Sequence, residues 1–146
     1  MMTIALIAHD AKKEELASLV QAHTEDLSGC DLIATRSTGE IIRERTGLTI
    51  TLVQSGPMGG DQQIGALVAN GMVKAVIFLR DPLTSQPHEP DINALLRLCD
   101  VHNVPLATNA GTAEAVLHLI FEHPETLRER QLEARLSNEL PLVRER

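Results

Sequence analysis

Aromatic residues are almost missing from this sequence of 146 residues, which has no tryptophan, no tyrosine and only two phenylalanines. Hydrophobic residues nevertheless make up 43% of the chain, which is enough to bury a core at this length. The core must therefore consist mainly of leucine, isoleucine, valine and alanine. The length is that of one ordinary domain.

Cysteine is also scarce, and Cys30 and Cys99 lie far apart and outside any spacing typical of metal ligands. We therefore expect neither a disulfide framework nor a zinc site. Long hydrophobic runs are missing too. The apolar segment of residues 3–8 is far too short to span a bilayer, and it lacks the basic flank and cleavage site of a secretory signal. These absences favour a soluble, cytoplasmic protein.

Positive charge is in deficit, because 13 lysines and arginines face 20 aspartates and glutamates, for a formal net charge of -7. Bulk attraction to nucleic acid or to an acidic membrane is therefore not expected. An anionic substrate remains compatible with this charge if local donors overcome the overall field.

Short β-like runs alternate with amphipathic helical patterns along the chain. The predicted strands are residues 3–8, 31–35, 48–53, 73–79 and 104–107, and predicted helices include 38–46 and 112–121. This order predicts an α/β fold with three layers, in which a doubly wound, mainly parallel five-stranded sheet carries helices on both faces. Residues 1–121 form this domain in our interpretation. Residues 122–146 are its charged C-terminal tail, either a surface helix with a frayed end, a helix packed on a neighbour, or a partly disordered segment.

Polar clusters follow each predicted strand. In open parallel sheets ligands bind beyond the carboxyl ends of the strands, so five clusters at one edge favour a site there. The clusters are His9-Asp10 with Lys13, residues 35–39, residues 55–61, Asp81-Pro82 leading to His88 and Asp91, and Thr108-Asn109.

Hydroxyl groups, glycine N–H groups and helix N-termini in these loops suit a phosphate group, and His9 and Lys13 add further donors. Each has a simpler structural alternative: Thr38 as a helix N-cap, and Ser55-Gly56 as a turn. Neither a Walker phosphate loop nor a dinucleotide-binding fingerprint is present.

Carboxylates and imidazoles at the same edge suit proton transfer, and clustered carboxylates raise the pKa of at least one member. The set is Asp10, Asp61, Asp81, His88 and Asp91. Asp61 follows two glycines that let the backbone approach a ligand closely. The structural alternatives are helix N-caps at Asp61 and Asp91 and a turn at Asp81. A metal site is conceivable, but the spacing matches no specific metal motif.

Several of these motifs resemble those of the methylglyoxal synthase family. The segment Ser-Gly-Pro-Met-Gly-Gly-Asp-Gln-Gln-Ile-Gly-Ala at 55–66 and Asp-Pro-Leu at 81–83 are similar to the family signature. So are Pro-His-Glu-Pro-Asp at 87–91, Ala-Leu-Leu-Arg at 94–97, His9-Asp10 and Pro-Leu-Ala-Thr-Asn at 105–109. The resemblance extends from about residue 3 to residue 120.

The resemblance implies a homohexamer that converts dihydroxyacetone phosphate to methylglyoxal and inorganic phosphate without a metal or an organic cofactor. It implies that Asp61 is the catalytic base, that His88 and Asp91 assist at the substrate oxygens, and that Asp10 lies nearby. Inorganic phosphate would be both product and inhibitor. The phosphate-binding positions that it implies are His9, Lys13, Thr35, Ser37, Thr38, Ser55 and Gly56, with Arg36 in the same loop.

The sequence departs from the family pattern at three positions and in its tail, which after residue 121 does not match the family's usual aromatic-containing end. Arg36 stands where glycine is frequent, Ser37 where threonine is frequent, and Arg80 where an aromatic residue is common. A C-terminal arginine of the family transmits phosphate inhibition between subunits. The sequence does not identify a counterpart among the candidates, which are Arg128, Arg130, Arg135, Arg144 and Arg146.

Two other functions remain open at this point. Domains of the same fold act as non-catalytic regulatory modules that bind phosphate or nucleotides, and an isomerase acting on the same substrate would share the proton abstraction. The presence of Asp10, Asp61, His88 and Asp91 beside the phosphate loops favours the enzyme over the module.

Overall fold

The computed structural model describes the backbone of residues 1–145 and the side chains of residues 1–138. The strands are β1 (Thr3–Ala8), β2 (Asp31–Thr35), β3 (Ile50–Val53), β4 (Ala75–Leu79) and β5 (Leu106–Ala107). The helices are α1 (Lys13–Ala22), α2 (Thr24–Leu27), α3 (Arg36–Thr46), α4 (Gly60–Ala69), α5 (Glu89–His102), α6 (Ala110–Glu122) and α7 (Pro124–Glu145). Single turns of 3-10 helix, Asp10–Lys12 and Gly56–Met58, precede α1 and α4. Within the described residues, no helix combines the length and the apolar character needed to cross a membrane.

The five strands form one sheet in the order β3-β2-β1-β4-β5, and every neighbouring pair is parallel. Leu6 in the central strand aligns with Ala34 on one side and Ile77 on the other. The chain winds from β1 toward β3 and then crosses back to β4 and β5. Strand order therefore reverses between β1 and β4, which is where such sheets bind ligands. The predicted doubly wound parallel sheet is confirmed.

Residues on β1 and β4 alternate between two cores, one on each face of the sheet. Ile4 and Leu6 pack with α1, α3 and α6, whereas Ala5 and Ile7 pack with α4 and α5. Because side chains of a strand point to opposite faces in turn, a strand covered on both sides is apolar at every position. This explains the continuous apolar run of β1 and confirms the three-layer arrangement. The single fully buried aromatic side chain among the described residues, Phe78, fills the second core.

Several predicted boundaries were wrong by two residues. Strands β3, β4 and β5 begin two residues later than the apolar pattern suggested, because Leu48, Val73 and Val104 are buried in the core but precede the paired residues. Helix α3 begins at Arg36 rather than near Thr38. An apolar run in the sequence indicates which residues are buried, and the buried residues extend beyond those that form hydrogen bonds between strands.

The charged tail forms helix α7, which packs on α5 and α6. Leu127 is buried in the first core, whereas Leu132 and Leu136 are about half exposed. The other leucines of the tail and two of the candidate arginines, Arg144 and Arg146, have side chains outside the described residues.

The turn between β3 and α4 requires two consecutive glycines for different reasons. Gly59 has φ +102°, a left-handed conformation that other residues rarely adopt. A Cβ on Gly60 would lie 2.1 Å from the carbonyl oxygen of Gln54. Gly60 therefore allows its backbone to pack against the backbone of Gln54, which is a structural reason for glycine at this position.

We expect Gly60→Ala to lower the free energy of unfolding by roughly 1–3 kcal/mol, the usual cost of forcing extra volume into a packed site. The measurement is urea denaturation of the full chain. Gly111→Ala is the matched control, since its nearest neighbour, the Asn109 side chain, would lie at 3.4 Å and alanine favours a helix. Equal stability of the two variants would contradict the assigned role of Gly60.

Candidate active site

A cleft of 470 Å³ lies beyond the carboxyl ends of β1, β2, β3 and β4, and the loops that follow these strands form its walls. The structure brings most of the predicted site residues together in it. These are His9, Asp10, Lys13, Thr35, Ser37, Thr38, Ser55, Gly56, Asp61, Asp81 and His88.

Asp61 is the most deeply buried acidic group of this cleft. It is the second residue of α4, and Gly59 occupies the N-cap position, so the predicted structural alternative of Asp61 as an N-cap was wrong. Only 1% of the residue is exposed, and neither carboxylate oxygen has a hydrogen-bond partner among the described residues. A buried carboxylate without a hydrogen bond is costly, because it has lost its water and only the imidazole of His88 lies close enough to compensate.

Burial raises the pKa of Asp61 above its ordinary value of 3.8. The nearby His88 opposes this rise, and the negative charge of Asp91 adds to it. Nε2 of His88 lies 3.3 Å from Oδ2 of Asp61. Asp61 is thus a carboxylate that accepts a proton more readily than an exposed aspartate does.

His88 lies directly against the backbone of the loop after β3. A Cβ on residue 56 would lie 2.7 Å from Nε2 of His88, so glycine at this position lets the imidazole reach Asp61. Nδ1 of His88 is buried and has no hydrogen-bond partner among the described residues. The ring therefore has one nitrogen at the carboxylate and one available for a bound molecule or water.

The protonation of His9 is fixed by a hydrogen bond across the switch point of the sheet. The backbone N–H of Asp81 donates to Nδ1 of His9 over 2.8 Å, so the hydrogen of the neutral ring sits on Nε2. That Nε2 is buried without a partner in the described structure. Burial lowers the pKa of His9, and the neighbouring His88 and Arg80 lower it further. His9 is therefore a neutral donor with its N–H group unused.

Lys13 joins the loop after β1 to the start of α3. Its ammonium group donates to Oγ of Ser37 over 2.7 Å and forms an ion pair with Asp10. The Asp10 side chain is 96% exposed, and its hydrogen bond with Lys13 lowers its pKa. This geometry suits Asp10 to holding Lys13 in place better than to accepting a proton.

Helix α3 begins at this cleft without a side-chain cap. Thr35 occupies the N-cap position but makes no capping hydrogen bond, and Thr38 lies inside the helix, so the alternative of Thr38 as the N-cap was wrong. Oγ1 of Thr38 instead donates to the carbonyl oxygen of Ala8 over 3.3 Å. An uncapped helix start flanked by hydroxyl groups and an ammonium group suits an anion.

Two predicted residues do not line the cleft. Asp91 is half-buried within the first turn of α5, where its carboxylate accepts a hydrogen bond of 2.7 Å from Gln62, so it is not the N-cap. Arg36 is exposed at the start of α3. Asp81 does form the predicted turn, because its side chain accepts a hydrogen bond from the N–H of Leu83.

Sequence reasoning missed the contribution of the loop between Asp81 and His88, from which Thr84, Ser85 and Gln86 line the cleft. The only available signal was their position between two predicted site residues. Among the side chains that the structure describes, no group of three histidines, cysteines or carboxylates is placed to hold a metal ion.

Asp61 predicts a specific pH dependence of stability. Its pKa is higher in the folded than in the unfolded protein, so between these two pKa values the folded state binds more protons than the unfolded state. The free energy of unfolding therefore falls as the pH rises from about 3.8 through the pKa of the folded state. We expect Asp61→Asn to raise the melting temperature at pH 7 and to lose this advantage below pH 3.8. Thermal unfolding from pH 3 to 8 tests this, with the exposed Asp26→Asn as control; a loss of stability at pH 7 would contradict it.

Comparison with known sequences agrees with this geometry. The sequence model of the MGS-like domain family matches residues 15–108. A methylglyoxal synthase of Moorella thermoacetica is 61% identical over 123 residues, which are 84% of this chain and 96% of that protein. A methylglyoxal synthase of Bacillus subtilis is 56% identical over 131 residues, covering 87% of this chain and 96% of its relative.

Comparison with solved structures gives the same result. The crystal structure of methylglyoxal synthase from Elizabethkingia anophelis superposes with a TM-score of 0.75 at 46% sequence identity, covering 80% of this chain and 76% of that one. Sequence, fold and cleft therefore agree, and the chain belongs to the MGS-like domain family, among the methylglyoxal synthases.

Proposed function

We propose that this protein is a carbon–oxygen lyase that converts dihydroxyacetone phosphate to methylglyoxal and inorganic phosphate through an enediolate. The observation that carries the proposal is the buried carboxylate of Asp61, which has no hydrogen-bond partner among the described residues and lines a cleft rich in hydrogen-bond donors. Relatives named methylglyoxal synthase at 56–61% identity support it. The chemistry uses the chain's own residues, with no metal or organic cofactor.

The phosphate group of the substrate binds at the start of α3 in this proposal. Lys13 supplies a positive charge, and Thr35, Ser37, Thr38 and Ser55 supply hydroxyl groups. The backbone N–H groups at the uncapped helix start and at Gly56 add hydrogen-bond donors that require no side chain to be held in place. The single free N–H of His9 donates to a substrate oxygen from the opposite wall.

Asp61 acts as the general base. It removes a proton from the carbon that bears the hydroxyl group. The electron pair of that C–H bond forms a C=C bond to the carbonyl carbon, and the π electron pair of the carbonyl moves to its oxygen. His88 stabilises the charge that develops on this oxygen by donating a hydrogen bond. The raised pKa of Asp61 brings its basicity closer to that required at neutral pH. Asp91 acts indirectly in this scheme, since its charge adds to the rise of that pKa.

The enediolate then expels phosphate. A proton passes from the hydroxyl group of the deprotonated carbon to the former carbonyl oxygen, and the electron pair left on the first oxygen forms a carbonyl at that carbon. The C=C electron pair shifts to the carbon that carries the phosphate group, and the bond between this carbon and the bridging oxygen breaks. The products are inorganic phosphate and an enol, which tautomerises to methylglyoxal. This elimination requires the breaking bond to lie perpendicular to the enediolate plane. An isomerase would instead hold the bond in the plane and return the proton to the neighbouring carbon. The orientation of the phosphate group by the loops at residues 35–38 and 55–56 thus decides between elimination and isomerisation.

A non-catalytic regulatory module of the same fold is the alternative. A binding module needs the phosphate donors but gains nothing from Asp61, whose buried charge works against an anionic ligand. The cost of that carboxylate favours catalysis over binding alone.

We also infer a homohexamer located in the cytoplasm, as the resemblance to the methylglyoxal synthase family implies. Residues 1–121 and 122–146 belong to one domain in this proposal. The burial of Leu127 of α7 in the first core supports this.

We expect purified protein to release methylglyoxal and phosphate from dihydroxyacetone phosphate, and Asp61→Asn to lose about a hundredfold to ten-thousandfold in turnover, the usual share of general-base catalysis. Loss of solvent exchange at the carbon-bound hydrogen should accompany it. Colorimetric methylglyoxal and phosphate assays, with deuterium exchange followed by NMR, provide the measurement.

Asp26→Asn is the control on the surface, and Asp10→Asn and Asp91→Asn test the other carboxylates of the set. Both should retain more activity than Asp61→Asn. Glyceraldehyde phosphate as the product would identify an isomerase, and near-normal turnover with retained exchange in Asp61→Asn would move the base to Asp91 or Asp10.

Inorganic phosphate should compete with substrate for the start of α3. We expect Lys13→Gln to raise both KM and the inhibition constant of phosphate by about tenfold, because a charge-assisted bond to a phosphate oxygen is lost. Lys12→Gln is the matched control, since Lys12 is adjacent in sequence but does not line the cleft. Steady-state kinetics at several phosphate concentrations decide the point; an inhibition constant unchanged in Lys13→Gln would place the anion elsewhere.

A further inference from the structure

A second and larger cavity, of 790 Å³, lies at the opposite edge of the sheet from the catalytic cleft. Its walls come from the residues that precede β1, β4 and β5, from the loop after α4, and from one face of α7. The α7 residues in this wall are spaced at three and four positions, as expected of a single helix face. They are Arg128, Gln131, Leu132, Arg135 and Asn138.

The charges in this cavity are all of one sign. Lys74, Arg128 and Arg135 line it together with His102, and no aspartate or glutamate of the described side chains does. Among residues 1–138, no ion pair involves any of these four residues. Such a cluster is unexpected in a chain of net charge -7.

Helix α7 is held over the cavity by amide side chains rather than by opposite charges. Gln131 donates to the carbonyl oxygen of Lys74 over 3.0 Å, and Asn138 donates to that of Val101 over 2.8 Å. From α5, Asn103 donates to the carbonyl oxygen of Arg130 over 3.1 Å. These bonds bring Arg128 close enough to Lys74 to lower its pKa, with burial as the larger cause. The fold therefore holds like charges together, and a bound anion would relieve their repulsion.

The remainder of the lining is apolar or amide. Val68, Met72, Val73 and Leu132 provide carbon surface beside Asn70 and Gln131. Ligand pockets of roughly 300–1,000 Å³ enclose molecules of metabolite size, so the cavity exceeds what inorganic phosphate would fill. Arginine in pairs favours phosphate or carboxylate oxygens because its planar group donates two parallel hydrogen bonds.

We propose that this cavity binds an organic polyphosphate, with its phosphate groups at Lys74, Arg128 and Arg135 and its carbon skeleton on the apolar wall. The site is separate from the catalytic cleft and does not depend on the activity assigned to that cleft. A ligand there would hold α7 against the amino edge of the sheet.

Calorimetric titration of the full chain with adenosine triphosphate, as the probe, tests the site. We expect binding that weakens with added salt, and Arg128→Gln and Arg135→Gln should each weaken it by about tenfold, as expected for loss of a charge-assisted bond to phosphate. Adenosine, which carries no phosphate, should bind far more weakly. Lys74→Gln provides a third variant at the base of the cavity in case a change on α7 disturbs the helix.

Arg130→Gln is the matched control, because Arg130 lies on the same helix but pairs with Glu133 and lines a different surface. Lys13→Gln reports on the catalytic cleft. Binding that survives Arg130→Gln and Lys13→Gln but weakens in the cavity variants supports the proposal. Absence of binding, equal binding of adenosine, or binding lost in Lys13→Gln and retained in the cavity variants would overturn it.

Discussion

The burial of Asp61 without a hydrogen-bond partner among the described residues is the constraint around which the rest of the cleft is arranged. The neighbouring glycines and His88 position this carboxylate or reduce the free-energy cost of burying it. Gly60 packs its backbone against Gln54 so that α4 begins deep in the cleft, and Gly56 leaves room for His88 to approach. The core beneath supplies the free energy that allows such a group to persist, since a buried charge is among the most expensive features a small domain can carry.

The sheet distributes the two tasks of the site between its strands. The ends of β1 and β2 carry Lys13 and the uncapped start of α3, which suit an anion, and the ends of β3 and β4 carry Asp61 and His88, which suit proton transfer. His9 connects the two groups because it follows β1 but is oriented by the backbone of Asp81 after β4. The reversal of strand order brings the ends of these four strands to one cleft. No single loop could hold all of these side chains together.

Much of this arrangement follows from the sequence, because apolar runs define the strands and polar residues mark their carboxyl ends. The three-layer fold and the collection of His9, Lys13, Asp61 and His88 at one edge were predictable on those grounds. Other features depend on contacts between distant residues and leave no local pattern. The hydrogen bond from Asp81 that fixes the His9 tautomer spans 72 positions. The hydrogen bond from Thr38 to the carbonyl oxygen of Ala8 and the placement of Asp91 against Gln62 are of the same kind.

The attachment of α7 determines the order in which the molecule opens. Among its described side chains only Leu127 is fully buried, and the remaining contacts to the domain include side-chain amide bonds near the surface. Segments with few buried apolar contacts exchange their amide hydrogens through local opening well below the global free energy of unfolding. We therefore expect helix α7 to open locally while the sheet stays intact. On this basis a protease would cut this segment first and release a trimmed domain whose cleft beyond the carboxyl ends of the strands, at the far edge of the sheet, is undisturbed.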